Sequence, residues 1–260
     1  MKCPRCQLVS AAGTQVLQDF RRRLDSIGPA RREGMSLGRV ISRLLGRRDR
    51  SAESVVLLPT FDTTGWRERE RSDKQVVWTS DEGDSILVTI TVPGPSRPLS
   101  DEEGWRNECR PMAEKIGGAI VSGDSFEREP APMFQFVYKK EDGNGYLYTG
   151  MLLIPRHDSM CVISSSGREH GMTGAREALV TIMLTEEGRL EIERLETPAP
   201  TGATGRVKNW FRDPYDPGYQ GRVLRSVADD EIYDALCPHH PLSRVRRTLS
   251  MVRRTLRFSA

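Results

Sequence analysis

Runs of β-branched residues separated by turn signals occupy the middle of the chain and constrain its fold more than any other feature. The runs lie at 54–59, 75–79, 85–92, 119–122, 133–139, 145–153 and 160–165. Val, Ile and Thr favour extended backbone, whereas Gly, Pro, Asp and Asn between the runs favour turns. Asp142-Gly143-Asn144-Gly145 predicts a tight hairpin, which joins antiparallel strands.

Two helices interrupt this succession of strands. Ser100 and Glu103 have the spacing of a capping box and predict a helix over 101–116, and Thr173 predicts the start of a second helix. The second helix has apolar residues on one face: Ala175, Leu179, Ile182 and Met183. Strands joined by hairpins, with helices set apart, predict an α+β fold. We expect an antiparallel sheet of about six to seven strands flanked by helices, with helical basic N- and C-terminal arms.

Charge divides the chain into three regions. Lys and Arg outnumber Asp and Glu by 12 to 4 in residues 1–50 and by 11 to 6 in 201–260, whereas the middle has 16 against 26. We therefore predict a basic amphipathic helical arm and linker over 1–52 and an α+β domain over 53–196. A linker, an aromatic turn segment and a basic helix follow over 197–260. Basic arms favour an acidic surface, either the protein's own middle or a partner.

The C-terminal helix has the sharpest pattern. Pro241 predicts its first residue, and an apolar stripe follows at spacings of three and four: Leu242, Val245, Leu249, Val252 and Leu256. Arginines flank the stripe: Arg244, Arg246, Arg247, Arg253, Arg254 and Arg257. Such a helix fits the protein's own acidic domain, a groove of a protein partner, or an anionic membrane or nucleic acid. The arginines, with Leu249, Val252 and Leu256, form the candidate partner-binding site.

Cysteine spacing raises a zinc hypothesis. Cys3 and Cys6 are separated by two residues, which is half of a zinc-ribbon ligand set. Cys237 and His239 are the residues able to complete a four-ligand site, which would join the two ends of the chain. A degenerate half-site without metal is the alternative, and it is the interpretation that we adopt.

An enzymatic interpretation depends on the segment from Ser164 to Gly174. It contains serines, His170 and glycines at a predicted helix start, which are the residue types of a nucleophile, a base and an anion-binding backbone. The same composition is typical of an ordinary strand-to-helix loop. The chain has no nucleophile elbow, phosphate-binding loop, dinucleotide fingerprint or zinc-protease motif, so we predict no catalytic residue and no cofactor.

Residues 54–195 resemble the PsbP/DcrB-like αβα sandwich family. The resemblance lies in LLPTFDTTGW at 57–66, in the capped helix before a strand, in YLYTGMLLIP at 146–155 and in GMTGARE at 171–177. It implies non-enzymatic work, in which a sheet or groove surface holds a partner segment. The basic arms depart from the family pattern.

Together these features predict a non-enzymatic binding module, adaptor or chaperone-like protein with a protein partner. The alternative is a peripheral binder of nucleic acid or acidic lipid through the basic arms. The chain has no apolar run of the roughly 18 residues that a membrane span needs and no secretory leader pattern, and its five cysteines are scattered. We therefore predict a cytoplasmic protein without a transmembrane segment.

Overall fold

The computed structural model describes residues 58–91, 95–129, 132–156, 158–171, 173–194, 205–221 and 223–258. It contains seven strands in one antiparallel sheet: β1 (Arg67–Arg71), β2 (Gln75–Thr79), β3 (Ser85–Thr91), β4 (Gly118–Phe126), β5 (Met133–Asp142), β6 (Gly145–Arg156) and β7 (Ser159–Arg168). The strand order is β1-β2-β3-β7-β6-β5-β4. The predicted α+β class and strand number are confirmed.

Three α-helices among the described residues accompany the sheet: α1 (Glu102–Lys115), α2 (Ala175–Glu186) and α3 (Pro241–Thr255). Strands β8 (Ile192–Arg194) and β9 (Gly205–Val207) form a separate small sheet, and two 3₁₀ turns occupy Val227–Asp229 and Glu231–Tyr233. Helix α1 packs on β4 and β5, whereas α3 packs on β6 and β7. The two helices contact different apolar clusters of the sheet, so helical layers enclose it from both faces.

Two local predictions about the helices were wrong. The N-cap of α1 is Asp101, whose carboxylate accepts a hydrogen bond from the Gly104 amide at 3.0 Å, and not Ser100. Helix α2 starts after Gly174, which has a positive φ of 74° and no side-chain cap. A positive φ favours glycine, so backbone geometry and not the Thr173 hydroxyl sets this helix start.

Strand β1 was missed in the sequence because its side chains are charged throughout. It reads Arg-Glu-Arg-Glu-Arg, and all five residues are exposed. As the outermost strand next to β2, it presents charge along one free edge of the sheet. A charged edge disfavours pairing with strands of other molecules. The predicted strand over 54–59 lies mostly outside the described residues, and Leu58 and Pro59 are not in a strand.

Candidate protein-binding surface

The apolar stripe of α3 lies in the protein's own core. Leu249 and Val252 are fully buried and Leu256 is nearly so, in one cluster with residues of β2, β3, β6 and β7. Burial of each such side chain stabilises the fold by about 2 kcal/mol. The sequence left several binding surfaces open for this stripe. The burial of Leu249, Val252 and Leu256 is explained by docking on the protein's own domain.

Three of the α3 arginines are held by other parts of the fold. Arg244 forms a two-pronged ion pair with Asp84 at 2.7 and 2.8 Å. Arg246 donates to the backbone carbonyl of Asp229 and to the carboxylate of Asp234. The Arg253 guanidinium lies 3.7 Å above the centre of the Phe126 ring. These contacts orient α3 on the sheet, which is a structural role.

The other three arginines face solvent. Arg247, Arg254 and Arg257 are exposed, and no ion pair within the described parts of the chain engages them. Arg247 donates to the Pro238 carbonyl at 3.2 Å, and Arg254 donates to a carbonyl of its own helix. Their positive charge is therefore available to a partner, and the predicted contact with one stays a prediction.

The candidate zinc ligands do not form a site in the described part of the structure. Cys3 and Cys6 lie outside the described residues, Cys237 is a buried free thiol, and His239 is exposed. Within the ranges that the structure describes, no group of three or more His, Cys, Asp or Glu side chains is arranged to hold a metal ion. The zinc hypothesis therefore has no support from the tail residues alone.

The segment from Ser164 to Gly174 does not bring its polar groups together. Ser164 and Ser165 point to opposite faces of β7, and both hydroxyls are buried without a hydrogen-bond partner. His170 is exposed beyond the end of the strand, and no hydrogen bond in the described structure joins it to either serine. A nucleophile and its base must be in contact, so this arrangement lacks the geometry of a catalytic pair.

A different part of the molecule exposes large apolar side chains. Within the described residues, all such side chains lie on α2 or after it in the chain: Leu179, Ile182, Ile192, Phe211, Ile232 and Leu236. We call these six residues the α2 surface. Leu179 and Ile182 are neighbours on one face of the helix and are 45% and 52% exposed. Single exposed apolar residues are ordinary, but their concentration on one part of a protein is typical of an interaction site.

A small buried apolar cluster packs α2 against the segments that follow it in the chain. Its members are Val180, Leu184, Trp210, Ala228 and Tyr233. Leu179 and Ile182 are on α2 itself. Each of the other four exposed residues is close in sequence to a cluster member or to a side chain that packs on the cluster. Ile192, for example, pairs with Val207, which packs on the cluster. The exposed residues thus belong to one lobe.

Arg176 fastens the lobe to the rest of the domain. It is almost fully buried, and its guanidinium donates to the carbonyls of Ala228 and Asp230 and to the side chains of Ser243 and Asp234. One side chain of α2 therefore joins the helix to the 3₁₀ turns and to the first turn of α3. Charge-assisted hydrogen bonds of this kind are stronger than neutral ones.

Beneath α2 lies a buried ion pair between the sheet and the 3₁₀ turn. The ammonium of Lys139 on β5 is 2.5 Å from the carboxylate of Asp229, and both side chains are at most 1% exposed. Asp229 also accepts hydrogen bonds from the amide and hydroxyl of Ser226. Burial alone would raise the pKa of Asp229, but the Lys139 charge and these hydrogen bonds outweigh it and lower the pKa.

Glu177 is the second buried carboxylate of this region. It lies on the inner face of α2, and its Oε2 atom has no hydrogen-bond partner. Burial, followed by the negative charge of Asp229, raises the pKa of Glu177 to about 7. This residue therefore changes charge close to neutral pH, which no feature of the sequence indicated.

No protein-family model matches this sequence, and no curated protein matches it at a significant level. Among solved structures, the Ran-binding protein Mog1p of Saccharomyces cerevisiae is similar at 16% identity and a TM-score of 0.33, over 45% of this chain and 74% of Mog1p. The cyanobacterial PsbP (CyanoP) of Synechocystis sp. PCC 6803 is similar at 12% identity and a TM-score of 0.29, over 52% of this chain and 93% of CyanoP. The two structures are thus only loosely similar to this chain, and at these TM-scores the similarity identifies neither its family nor its function.

The sequence predicted one apolar face of α2, formed by Ala175, Leu179, Ile182 and Met183. The buried residues of the helix are instead Arg176, Glu177, Val180 and Leu184, and Leu179 and Ile182 are exposed. Arg176 turns inward because distant residues provide oxygen partners for its guanidinium, whereas Glu177 is buried with its Oε2 atom unpartnered. A signal was present nonetheless, since α2 has apolar residues on more than one face.

Proposed function

We propose that this protein is a non-enzymatic binding module, an adaptor or chaperone-like protein, that contacts a protein partner through the α2 surface. The observation that carries the proposal is the concentration of exposed large apolar side chains on α2 and the segments after it. Association of proteins is driven mainly by burial of apolar area. A protein partner can bury apolar side chains of its own against these residues, so a protein is the partner that they favour.

Charge around the α2 surface indicates the chemistry of the partner. Exposed glutamates end α2, follow it or adjoin Ile232: Glu186, Glu187, Glu191, Glu193 and Glu231. Glu187 pairs with Arg189 and Glu191 pairs with Lys208, both at 2.9 Å. The partner that fits is a protein segment with apolar side chains beside basic ones, because like charges across an interface are unfavourable.

A co-purification from the native cell tests this proposal. The variant Leu179→Glu/Ile182→Glu places two carboxylates in the α2 surface, and Asn107→Glu/Lys115→Gln lowers the net charge by the same amount at exposed positions of α1 as the matched control. We expect a specific partner to be retained by the wild type and the control and lost from the α2 variant. Equal retention by all three proteins contradicts the proposal, as does the absence of any specific partner.

A second candidate function is binding to an anionic surface. It is favoured by the three exposed guanidinium groups of Arg247, Arg254 and Arg257, which have no ion pair within the described residues. Phosphate contacts give an affinity that falls steeply with salt concentration. None of the helices within the described residues has the length and apolar composition needed to span a bilayer.

The test of this second function uses DNA, RNA and acidic liposomes at several salt concentrations. The variant Arg247→Gln/Arg254→Gln/Arg257→Gln removes the three charges, and Arg67→Gln/Arg69→Gln/Arg71→Gln removes three exposed arginines from β1 as the control. Salt-sensitive binding that only the first variant loses supports the anionic-surface function. Indifference of the wild type to all three ligands removes it.

A further inference from the structure

The inner face of α2 brings a carboxylate into a closed polar interior. Glu177 is 8% exposed, and its Oε2 atom has no hydrogen-bond partner. Two further buried atoms near it also have none, Oδ1 of Asp229 and the hydroxyl oxygen of Tyr148. Buried polar atoms without partners are uncommon in native proteins and are costly. The contact between α2 and the rest of the domain is therefore well bonded at Arg176 but contains unpartnered polar atoms at Glu177.

Every element around Glu177 contributes a titratable or charged group. They are Lys139 of β5, Tyr146 and Tyr148 of β6, Glu169 after β7, Asp229 of the 3₁₀ turn, Asp234 and Cys237 after it, His240 before α3 and Arg176 of α2 itself. The cations among them already have partners. Lys139 is paired with Asp229, and the Arg176 guanidinium is shared among four oxygens.

We propose that the proton on Glu177 is a switch that controls how tightly α2, and with it the α2 surface, is held against the sheet. With the proton bound, the side chain is neutral and its burial costs far less than burial of the carboxylate. Without it, a second carboxylate is buried beside Asp229 while Lys139 provides one positive charge. An isolated buried charge is strongly unfavourable, and lifting α2 to admit water relieves it.

The switch operates in the neutral range. Burial, and then the charge of Asp229, raises the pKa of Glu177 from 4.5 to about 7 in the folded protein. A carboxylate with a raised folded pKa holds its proton more tightly when α2 is closed, so rising pH favours the open state. The effect develops between pH 4.5 and about 7 and is constant above that range.

Hydrogen exchange of the isolated full-length protein tests the switch. Protection factors, which are corrected for the chemical exchange rate at each pH, are measured for amides of α2 and, as an internal control, of α1. We expect α2 protection to fall by roughly 50- to 100-fold between pH 5 and pH 8. Glu177→Gln keeps the side-chain shape without the charge and should abolish the fall. Glu186→Gln, at an exposed position of the same helix, should leave it unchanged.

Two results overturn the proposal: α2 protection that is constant across this pH range in the wild type, and a fall that persists in Glu177→Gln. The second result would assign the pH effect to a group other than Glu177. An NMR titration of the Glu177 carboxyl carbon in the wild type needs no variant, and a midpoint below pH 5 would also overturn the proposal.

The effect on partner binding rests on the proposed function. Because the exchange experiment contains no partner, failure of the switch and failure of the partner test are distinguishable.

Discussion

Removal of the Lys139 ammonium should destabilise the protein far more than removal of an exposed cation. In Lys139→Met, Asp229 keeps its hydrogen bonds from Ser226 but loses its counter-charge in a site that is closed to water. Breaking a buried ion pair by removing one partner costs about 3–5 kcal/mol, because the other charge stays buried. We therefore expect the free energy of unfolding to fall by about 4 kcal/mol at pH 7.

The choice of pH 7 for this measurement follows from the shifted pKa values of Lys139 and Asp229. Burial opposes the charge of Lys139, but Asp229 outweighs it and raises the pKa of Lys139, whereas the pKa of Asp229 is lowered. Asp229 thus stabilises the fold above pH 3.8 and loses this effect as pH falls through its lower folded value. Lys139 stabilises the fold below pH 10.5 and loses this effect as pH rises through its higher folded value. At pH 7 the pair is intact.

Urea unfolding followed by circular dichroism measures the loss. The control is Arg67→Met, which breaks the exposed pair of Arg67 with Asp81, whose side chains are 68% and 78% exposed. That pair should contribute less than about 1 kcal/mol. In Lys139→Met/Asp229→Asn neither charge remains, so part of the loss should be recovered. A loss below about 1 kcal/mol in Lys139→Met, or no recovery in the double variant, refutes the reasoning.

Three further predictions concern packing in the core. Leu249→Ala should lower the free energy of unfolding by about 2–5 kcal/mol in urea titrations, since this fully buried side chain joins α3 to the sheet. A loss below about 1 kcal/mol would contradict this prediction. Gly150→Ala should lower the free energy of unfolding by about 1–3 kcal/mol, because the added Cβ would meet Leu249 and lie 2.9 Å from Val245. An unchanged urea midpoint would show that α3 moves away without cost. Cys109 and Cys161 should resist iodoacetamide at pH 8 in mass-spectrometric labelling, because burial raises the pKa of both thiols to about 12; rapid native labelling of either is the contrary result.

The sequence predicted those elements whose pattern reflects the environment they occupy. Strand β7 has β-branched and small residues because it lies in the middle of the sheet, and α3 has a regular apolar stripe because it packs on that sheet. Strand β1 has neither pattern, since its five residues face water. Local rules also could not choose between Ser100 and Asp101 as the helix cap, because both side chains can accept the same kind of hydrogen bond.

The candidate surface was harder to predict than the fold because it depends on distant contacts. Nothing in the local sequence shows that Arg176 finds oxygens on residues more than fifty positions away, so its burial could not be foreseen. The buried face of α2 contains Arg176 and Glu177 beside Val180 and Leu184, while Leu179 and Ile182 are exposed. Buried charge next to exposed apolar residues runs against the usual hydrophobic pattern of a helix.

The order of α3 and the sheet along the chain has a consequence for synthesis of the protein. The apolar residues of α3 cover β6 and β7, which are made about ninety residues earlier. Until the ribosome has made α3, the nascent sheet presents an uncovered apolar face that is prone to aggregation. Premature termination before Pro241 should therefore yield insoluble protein and not a shorter stable domain. The sheet thus depends, while it is being made, on a helix that does not yet exist.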